Sequence, residues 1–182
     1  MNDVVAVVTQ PGVECGDDQV LRYDRKAASD LCESLKYFPE LCFEGHSTDY
    51  QSKECLKQMV EDGIAILKVG PALTYGLREG LFSLSIIEKE LVPEETHAHF
   101  IETLETAMLD NPNNWIKHYH GSTKQIALCR KYSFSDRASY YIGLPSVNAA
   151  IAKLFRNLTE YPIPMNMLHQ YMPLTYLKVR DG

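Results

Sequence analysis

The sequence predicts an α/β fold built on a parallel sheet, and three observations carry that expectation. Short apolar runs at Val4 to Thr9, Leu41 to Glu44 and Ile64 to Val69 each stop at a turn containing glycine or proline. Amphipathic helical patterns separate the runs, and the connections between them are short. Strand, helix, strand, helix, strand in that arrangement is a series of βα units, whose right-handed crossovers lay each strand parallel to the one before.

Taken in order, Val4-Val5-Ala6-Val7-Val8-Thr9 is apolar and β-branched, the pattern of a strand buried on both faces, and Pro11-Gly12 closes it. A polar, glycine-containing loop follows. Ala27, Ala28, Leu31, Cys32 and Leu35 then recur at helical spacing, which predicts a helix over about 23–37, ended by Pro39. Leu41 begins the second strand, closed by Gly45-His46-Ser47-Thr48-Asp49, and its last three residues are N-cap types for the next helix. That helix carries Cys55, Leu56, Met59 and Val60 on one face, with Gly63 where a left-handed C-cap residue belongs. The third strand runs from Ile64 to Val69 and stops at Gly70-Pro71. A long helix over about 74–91 puts Leu77, Leu81, Leu84 and Ile87 on one stripe before Pro93.

The rest reads as helical. Phe100, Ile101, Leu104 and Met108 mark one helix, and Asp110-Asn111-Pro112 a turn. Val147, Ile151, Leu154, Phe155 and Leu158 mark another, opened by Pro145 in its first turn or capped by Ser146. Tyr161-Pro162-Ile163-Pro164 breaks the chain before a short helix near Met167. An open doubly wound sheet and a (β/α) barrel both fit this pattern, and the expected organisation is one domain over 1–182, with βα units in 1–92 and a helical C-terminal region in 93–182.

The 182 residues include 18 Lys+Arg against 24 Asp+Glu, a formal net charge of -6, and 45% are hydrophobic. That length and apolar content support a packed core and exclude disorder. The acidic balance and the lack of any basic run argue against nucleic acid and against a membrane surface. No apolar stretch approaches the roughly 20 residues of a membrane-spanning helix, and the N-terminus lacks a signal-peptide pattern. The 5 scattered cysteines form no CxxC, which suits reduced thiols and a cytoplasmic protein.

In a parallel α/β fold the chemistry sits at the C-terminal ends of the strands. Lys68, Gly70 and Thr74 offer a cation and helix-start N–H groups, and are the candidate phosphate-binding residues. Glu44, His46 and Asp49 crowd the end of the second strand, and Arg137 could meet an anion. The structural alternative is that these residues are caps and turns. Lys68 also invites comparison of a desolvated Schiff-base amine with a lysine paired to Glu44. His97-Ala98-His99 and His118-Tyr119-His120 are not read as metal sites, because residues two apart on a helix diverge by about 200°. No GxxxxGK[ST] loop, no GxGxxG after a strand and no GxSxG elbow occurs, and Gly76 and Gly80 fall inside a helix pattern.

These same segments carry a resemblance. Ala6-Val7-Val8-Thr9-Gln10-Pro11-Gly12-Val13-Glu14, Glu44-Gly45-His46-Ser47-Thr48-Asp49-Tyr50-Gln51 and Ala65-Ile66-Leu67-Lys68-Val69-Gly70-Pro71-Ala72-Leu73-Thr74 resemble the non-catalytic, Z-type subunit of D-tagatose-1,6-bisphosphate aldolase. So do His118-Tyr119-His120-Gly121, Tyr132-Ser133-Phe134-Ser135-Asp136-Arg137 and Gln170-Tyr171-Met172-Pro173-Leu174. The resemblance implies the C-terminal part of a TIM-type (β/α) barrel of the class II aldolase kind. It implies an accessory subunit in galactitol or N-acetylgalactosamine breakdown, partnering a catalytic class II aldolase subunit that holds the zinc, with a sugar phosphate as a further ligand.

Catalytic class II aldolases place zinc-binding histidines after two consecutive strands. In register, Pro11 and Glu44 stand in those places, so the resemblance implies no catalytic residues, no metal and no cofactor on this chain. Lys68 and Thr74 match their phosphate loop, and Gly70 replaces its asparagine. The alternative is a stand-alone ketose-phosphate aldolase or isomerase using Lys68 or a Glu44/His46 metal site. A barrel takes eight strands and roughly 250 residues, and three strands are found. The strand at Val4–Thr9 is then expected to leave an apolar edge, and the isolated chain to be marginally stable or homo-oligomeric.

Overall fold

The computed structural model describes residues 4–181, which fall into two compact units. Of the described residues, the first unit comprises 4–73 with 132–136, and the second 74–131 with 137–181.

The first unit holds the predicted parallel sheet. β1 (Ala6–Thr9), β4 (Cys42–Gly45) and β5 (Ile66–Leu67) lie in the order β1-β4-β5, all parallel, with Val7 beside Phe43 and Glu44 beside Ile66. β4 is central because it alone has a neighbour on each side, and Phe43 is buried accordingly. β1 contradicts the expectation of burial on both faces and matches that of an apolar edge: Val4, Val5, Val7 and Val8 are all exposed. It is an edge strand, so the apolar pattern that signals a central strand here meets solvent. β5 is shorter than its apolar run: only Ile66 and Leu67 are in ladder register with β4, while the Lys68 N–H extends the contact to the Gly45 carbonyl at 3.0 Å.

The helix expected over 23–37 is mostly something else. Glu14–Cys15 (β2) and Val20–Leu21 (β3) form a small antiparallel pair in place of the expected loop. Asp24 then accepts hydrogen bonds from the N–H groups of Lys26 (2.9 Å) and Ala27 (3.1 Å), turning the chain. Only α1 (Ser29–Glu33) is α-helical, followed by a 3-10 turn at Ser34–Tyr37. Tyr23 is withdrawn from the helix into the core, where its hydroxyl donates to Asp62 at 2.9 Å.

α2 (Lys53–Glu61) is capped by Ser52, whose hydroxyl accepts from the Cys55 N–H at 3.2 Å, and not by Ser47, Thr48 or Asp49. Those three residues are committed to the strand ends, as shown below. Gly63 does end α2 as predicted, at φ +89°, with its N–H on the Val60 carbonyl and the Ile64 N–H on the Met59 carbonyl. That pair of bonds is the Schellman pattern, and it aims the chain directly into β5. Val13, Tyr23, Ala28, Phe43, Met59 and Ile64 form the core of this unit. Residues 132–136 return to it: Ser133 donates to Asp17 at 2.9 Å, and Tyr50 donates to the Phe134 carbonyl at 2.9 Å.

The second unit is helical, as expected. α3 (Pro71–Leu91) begins in the first unit and continues here, followed by α4 (Phe100–Asp110), α5 (Thr123–Tyr132), α6 (Ser139–Ile142), α7 (Pro145–Glu160), α8 (Met165–Tyr171) and α9 (Pro173–Arg180). α7 starts with Pro145 in its first turn, and α8 is the short helix expected near Met167. α5, α6 and α9 carry no predicted helix: α6 is four residues long, and neither α5 nor α9 buries an apolar stripe, the buried residue of α5 being Arg130. Leu81, Phe100, Leu104, Tyr141, Val147 and Leu154 anchor one continuous core.

A buried carboxylate organises that core. Glu88, 1% exposed, accepts from the Ala98 N–H at 3.0 Å and the Asn157 side-chain amide at 2.6 Å. It thereby joins α3 and α7 to the start of α4. No helix among the described residues is long and apolar enough to cross a membrane.

Candidate functional site

The sheet of the first unit gathers three polar segments at the C-terminal ends of its strands, where a parallel α/β fold places its chemistry. After β1, the Gln10 amide donates to the Val13 carbonyl (3.0 Å) and to the Glu14 carboxylate (2.8 Å), and also reaches the Ser47 hydroxyl (3.4 Å). Pro11 beside it is buried. After β4, Glu44 and His46 face each other at 3.1 Å, both partly buried. Residues two apart in extended chain share a face, which accounts for the pair.

The loop beyond is held by short-range geometry. Ser47 and Tyr50 adopt left-handed conformations, at φ 57° and 59°. Between them the Thr48 hydroxyl donates to the Lys68 carbonyl at 2.9 Å, tying the end of β4 to the end of β5. Asp49 is 2% exposed, and one of its oxygens accepts from the N–H groups of both Gly70 and Ala72, each at 2.9 Å. A carboxylate thus already occupies the N-terminus of α3, where the sequence places its phosphate candidates.

Lys68 is exposed at the end of β5, so nothing desolvates its amine in the way Schiff-base chemistry exploits. Glu44 pairs with His46 and not with Lys68. Gly70 is exposed and Thr74 sits in the first turn of α3. Cys15 lies near this loop: burial pushes its thiol pKa up, and the charges of Asp49 and Glu14 add to that, so it stays protonated.

Arg137 belongs to the second unit. Its backbone N–H donates to the Tyr119 hydroxyl at 3.2 Å, and its guanidinium to the Asn114 carbonyl at 3.1 Å. Its Nε is buried without a hydrogen-bond partner. His118 is held below the usual imidazole range by desolvation and by the charges of Arg137, His120 and Lys117. His97 is buried against the Val92 carbonyl at 2.9 Å, and His99 takes a left-handed conformation ahead of α4.

The donor set does not suit a catalytic zinc. Among the described residues there is no group of three or more His, Cys, Asp or Glu that could hold a metal ion. Glu44 and His46 supply two donors where such a site needs three from the protein. Pro11 offers no donor at all.

Two further residues hold the loops of the site. Gln51 is buried and accepts from the Tyr23 N–H (3.0 Å) while donating to the Leu21 carbonyl (2.8 Å), so it anchors the loop after β4 to β3. Gln10 is the other. A polar residue with both donor and acceptor groups just beyond a strand is a weak signal, and only the fold shows what it reaches.

The whole chain, residues 1–182, matches the family model described as D-tagatose-1,6-bisphosphate aldolase subunit GatZ/KbaZ-like. Among solved structures it is similar to a protein from Sinorhizobium meliloti 1021 titled a probable tagatose 6 phosphate kinase, at 42% identity and a TM-score of 0.93. That match covers 100% of this chain and 47% of the other, so the chain spans about half the length of the structure it resembles.

Proposed function

The chain belongs to the D-tagatose-1,6-bisphosphate aldolase subunit GatZ/KbaZ-like family, and from that premise we propose that it is a non-catalytic accessory subunit. In this reading its three parallel strands are the C-terminal part of a TIM-type (β/α) barrel. Its partner is the catalytic class II aldolase subunit, whose activity and stability it supports in the catabolism of galactitol and N-acetylgalactosamine through D-tagatose 6-phosphate.

One observation carries the proposal. The strand ends that would present zinc ligands in a class II aldolase hold Pro11 and a Glu44–His46 pair, two donors in place of a coordinating set. The Asp49 carboxylate caps the N–H groups of Gly70 and Ala72, and Lys68, exposed at the end of β5, is the cation offered to a sugar phosphate. The kinase in the neighbour's title has no part in this reading, since Gly76 and Gly80 lie within α3 and form no phosphate loop.

The test is to purify the chain with the catalytic subunit and follow cleavage of tagatose 1,6-bisphosphate over time. A higher rate or a longer active lifetime is expected, and no change in either would sink the proposal. A second reading, a stand-alone ketose-phosphate aldolase or isomerase, is favoured by the contact between Glu44 and His46. Stoichiometric bound metal, or a borohydride-trapped adduct on Lys68, would establish it in place of the first.

A further inference from the structure

The turn ahead of α5 gathers positive charge that no carboxylate answers. Acidic side chains outnumber basic ones in this chain, 24 Asp+Glu against 18 Lys+Arg. Arg25, Lys57, Lys89 and Arg130 each hold an ion pair, whereas Lys117, His118, His120 and Arg137 hold none among the described residues.

Local structure brings these four together. The chain turns after Trp115, whose carbonyl accepts the N–H groups of His118 at 2.9 Å and Tyr119 at 3.1 Å. Tyr119 is 2% exposed and stacks on Trp115, with ring centroids 6.4 Å apart. With Tyr119 turned into the core, Lys117, His118 and His120 are left on the solvent side, and all three are exposed. Arg137 is fastened to the same turn at two points. Its backbone N–H donates to the Tyr119 hydroxyl at 3.2 Å and its guanidinium to the Asn114 carbonyl at 3.1 Å. A guanidinium is a fork of N–H donors, and here one of them finds an acceptor while the buried Nε has none.

His118 registers this company. Desolvation, then the charges of Arg137, His120 and Lys117, hold it below the usual imidazole range, and no carboxylate offsets them. α5 starts directly after Ser122, so the positive end of its dipole adds to the same field. Ser122 and Gln125 cap that end reciprocally, the Ser122 N–H on Gln125 Oε1 at 2.8 Å and the Gln125 N–H on Ser122 Oγ at 3.3 Å. Like charges held together raise the energy of the empty fold, and a bound anion lowers it.

We propose that Lys117, His118, His120 and Arg137 form a binding site for a phosphoryl dianion, that of a phosphate monoester or of free phosphate. The charge matches: Lys117 and Arg137 are permanent cations, and a phosphate monoester carries about -1.5 to -2 at pH 7. The donors match as well. The Arg137 fork suits two phosphate oxygens, and the imidazoles and the lysine serve the third. A carboxylate ligand brings a single charge and leaves part of the cluster unanswered. Nucleic acid meets a net charge of -6 on the chain as a whole.

The site shares no residue with the strand ends that carry Lys68, and it does not rest on the accessory role. A chain that binds phosphate yet leaves aldolase cleavage unchanged would sink that role and leave this site standing.

The test titrates the full chain with inorganic phosphate, with D-tagatose 6-phosphate and with D-tagatose, following the imidazole signals by NMR. Both phosphorylated probes should move the His118 titration saturably to higher pH, by at least about 0.5, because the dianion reverses the field that depresses it. Tighter binding of the sugar phosphate identifies a monoester as the ligand, and equal or tighter binding of inorganic phosphate identifies free phosphate. Lys117→Gln and His120→Gln alter exposed side chains and should each weaken the effect about three- to tenfold. Arg137→Lys keeps the charge, loses the fork and should weaken it about tenfold. Lys68→Gln should leave it unchanged. No saturable movement of His118 at millimolar phosphate would overturn the proposal. So would an equal movement with D-tagatose, a response that withstands Lys117→Gln, His120→Gln and Arg137→Lys, or one abolished by Lys68→Gln.

Discussion

Asp49→Ala is the sharpest probe of how the strand ends are built. The side chain is 2% exposed, and a single oxygen receives the N–H groups of Gly70 and Ala72 at 2.9 Å each. Hydrogen bonds to a charged group contribute about 1.5–3 kcal/mol, and loss of a helix cap costs about 0.5–2 kcal/mol. Gly70 is exposed, so water replaces Asp49 there at little cost, and the penalty falls mainly on Ala72. A net loss of about 2 kcal/mol follows. For a chain of this size that is a drop of about 4–8 °C in Tm.

Asp49→Asn keeps one acceptor and should lose about half as much. Urea unfolding followed by far-ultraviolet circular dichroism measures both variants. An alanine variant within about 0.5 kcal/mol of the natural chain, the scatter of ordinary surface changes, would refute the capping argument. The same variant separates cap from anion site. Inorganic phosphate should raise the Tm of Asp49→Ala more than that of the natural chain, because the carboxylate no longer blocks the N–H groups.

Gly45→Ala puts a methyl group 2.7 Å from Ile64 Cγ2 at the end of β4, and should cost about 1–3 kcal/mol by overpacking, read from the urea midpoint. Glu88→Ala leaves the Ala98 N–H and the Asn157 amide unpaired in the second core, and a loss of about 2–4 kcal/mol should appear in the same assay. Tyr23 governs an alkaline limb. Burial first, then its contacts with Cys32 and Asp62, hold its phenol well above the usual range. The folded state therefore keeps a proton that the unfolded chain releases near pH 10, so stability is intact below about pH 10 and falls above it. Tyr23→Phe should flatten that fall in urea titrations at pH 9 to 11, and an unchanged slope would contradict the assignment.

Much of the first unit was legible in local pattern. The three strands, their parallel order and the left-handed Gly63 follow from short-range signals that need no knowledge of neighbours. The helix over 23–37 failed because Asp24 and Tyr23 are fixed by groups elsewhere in the sequence, the latter by Asp62 and Gln51. At the candidate site the residue types were read correctly and their partners were not. Glu44, His46 and Asp49 do cluster after β4, but only the coordinates show that Asp49 turns inward to the N–H groups of Gly70 and Ala72.

The sequence by itself determined the three parallel strands and most of the longer helices, and which family the chain resembles, because periodicity, turn residues and long motifs are local properties. Tertiary structure decided how far each strand is buried. Val4 to Thr9 is as apolar as any buried strand, and burial depends on what lies beside it. Here no described element buries those valines, so a pattern written for an interior lies largely open at the rim of the sheet.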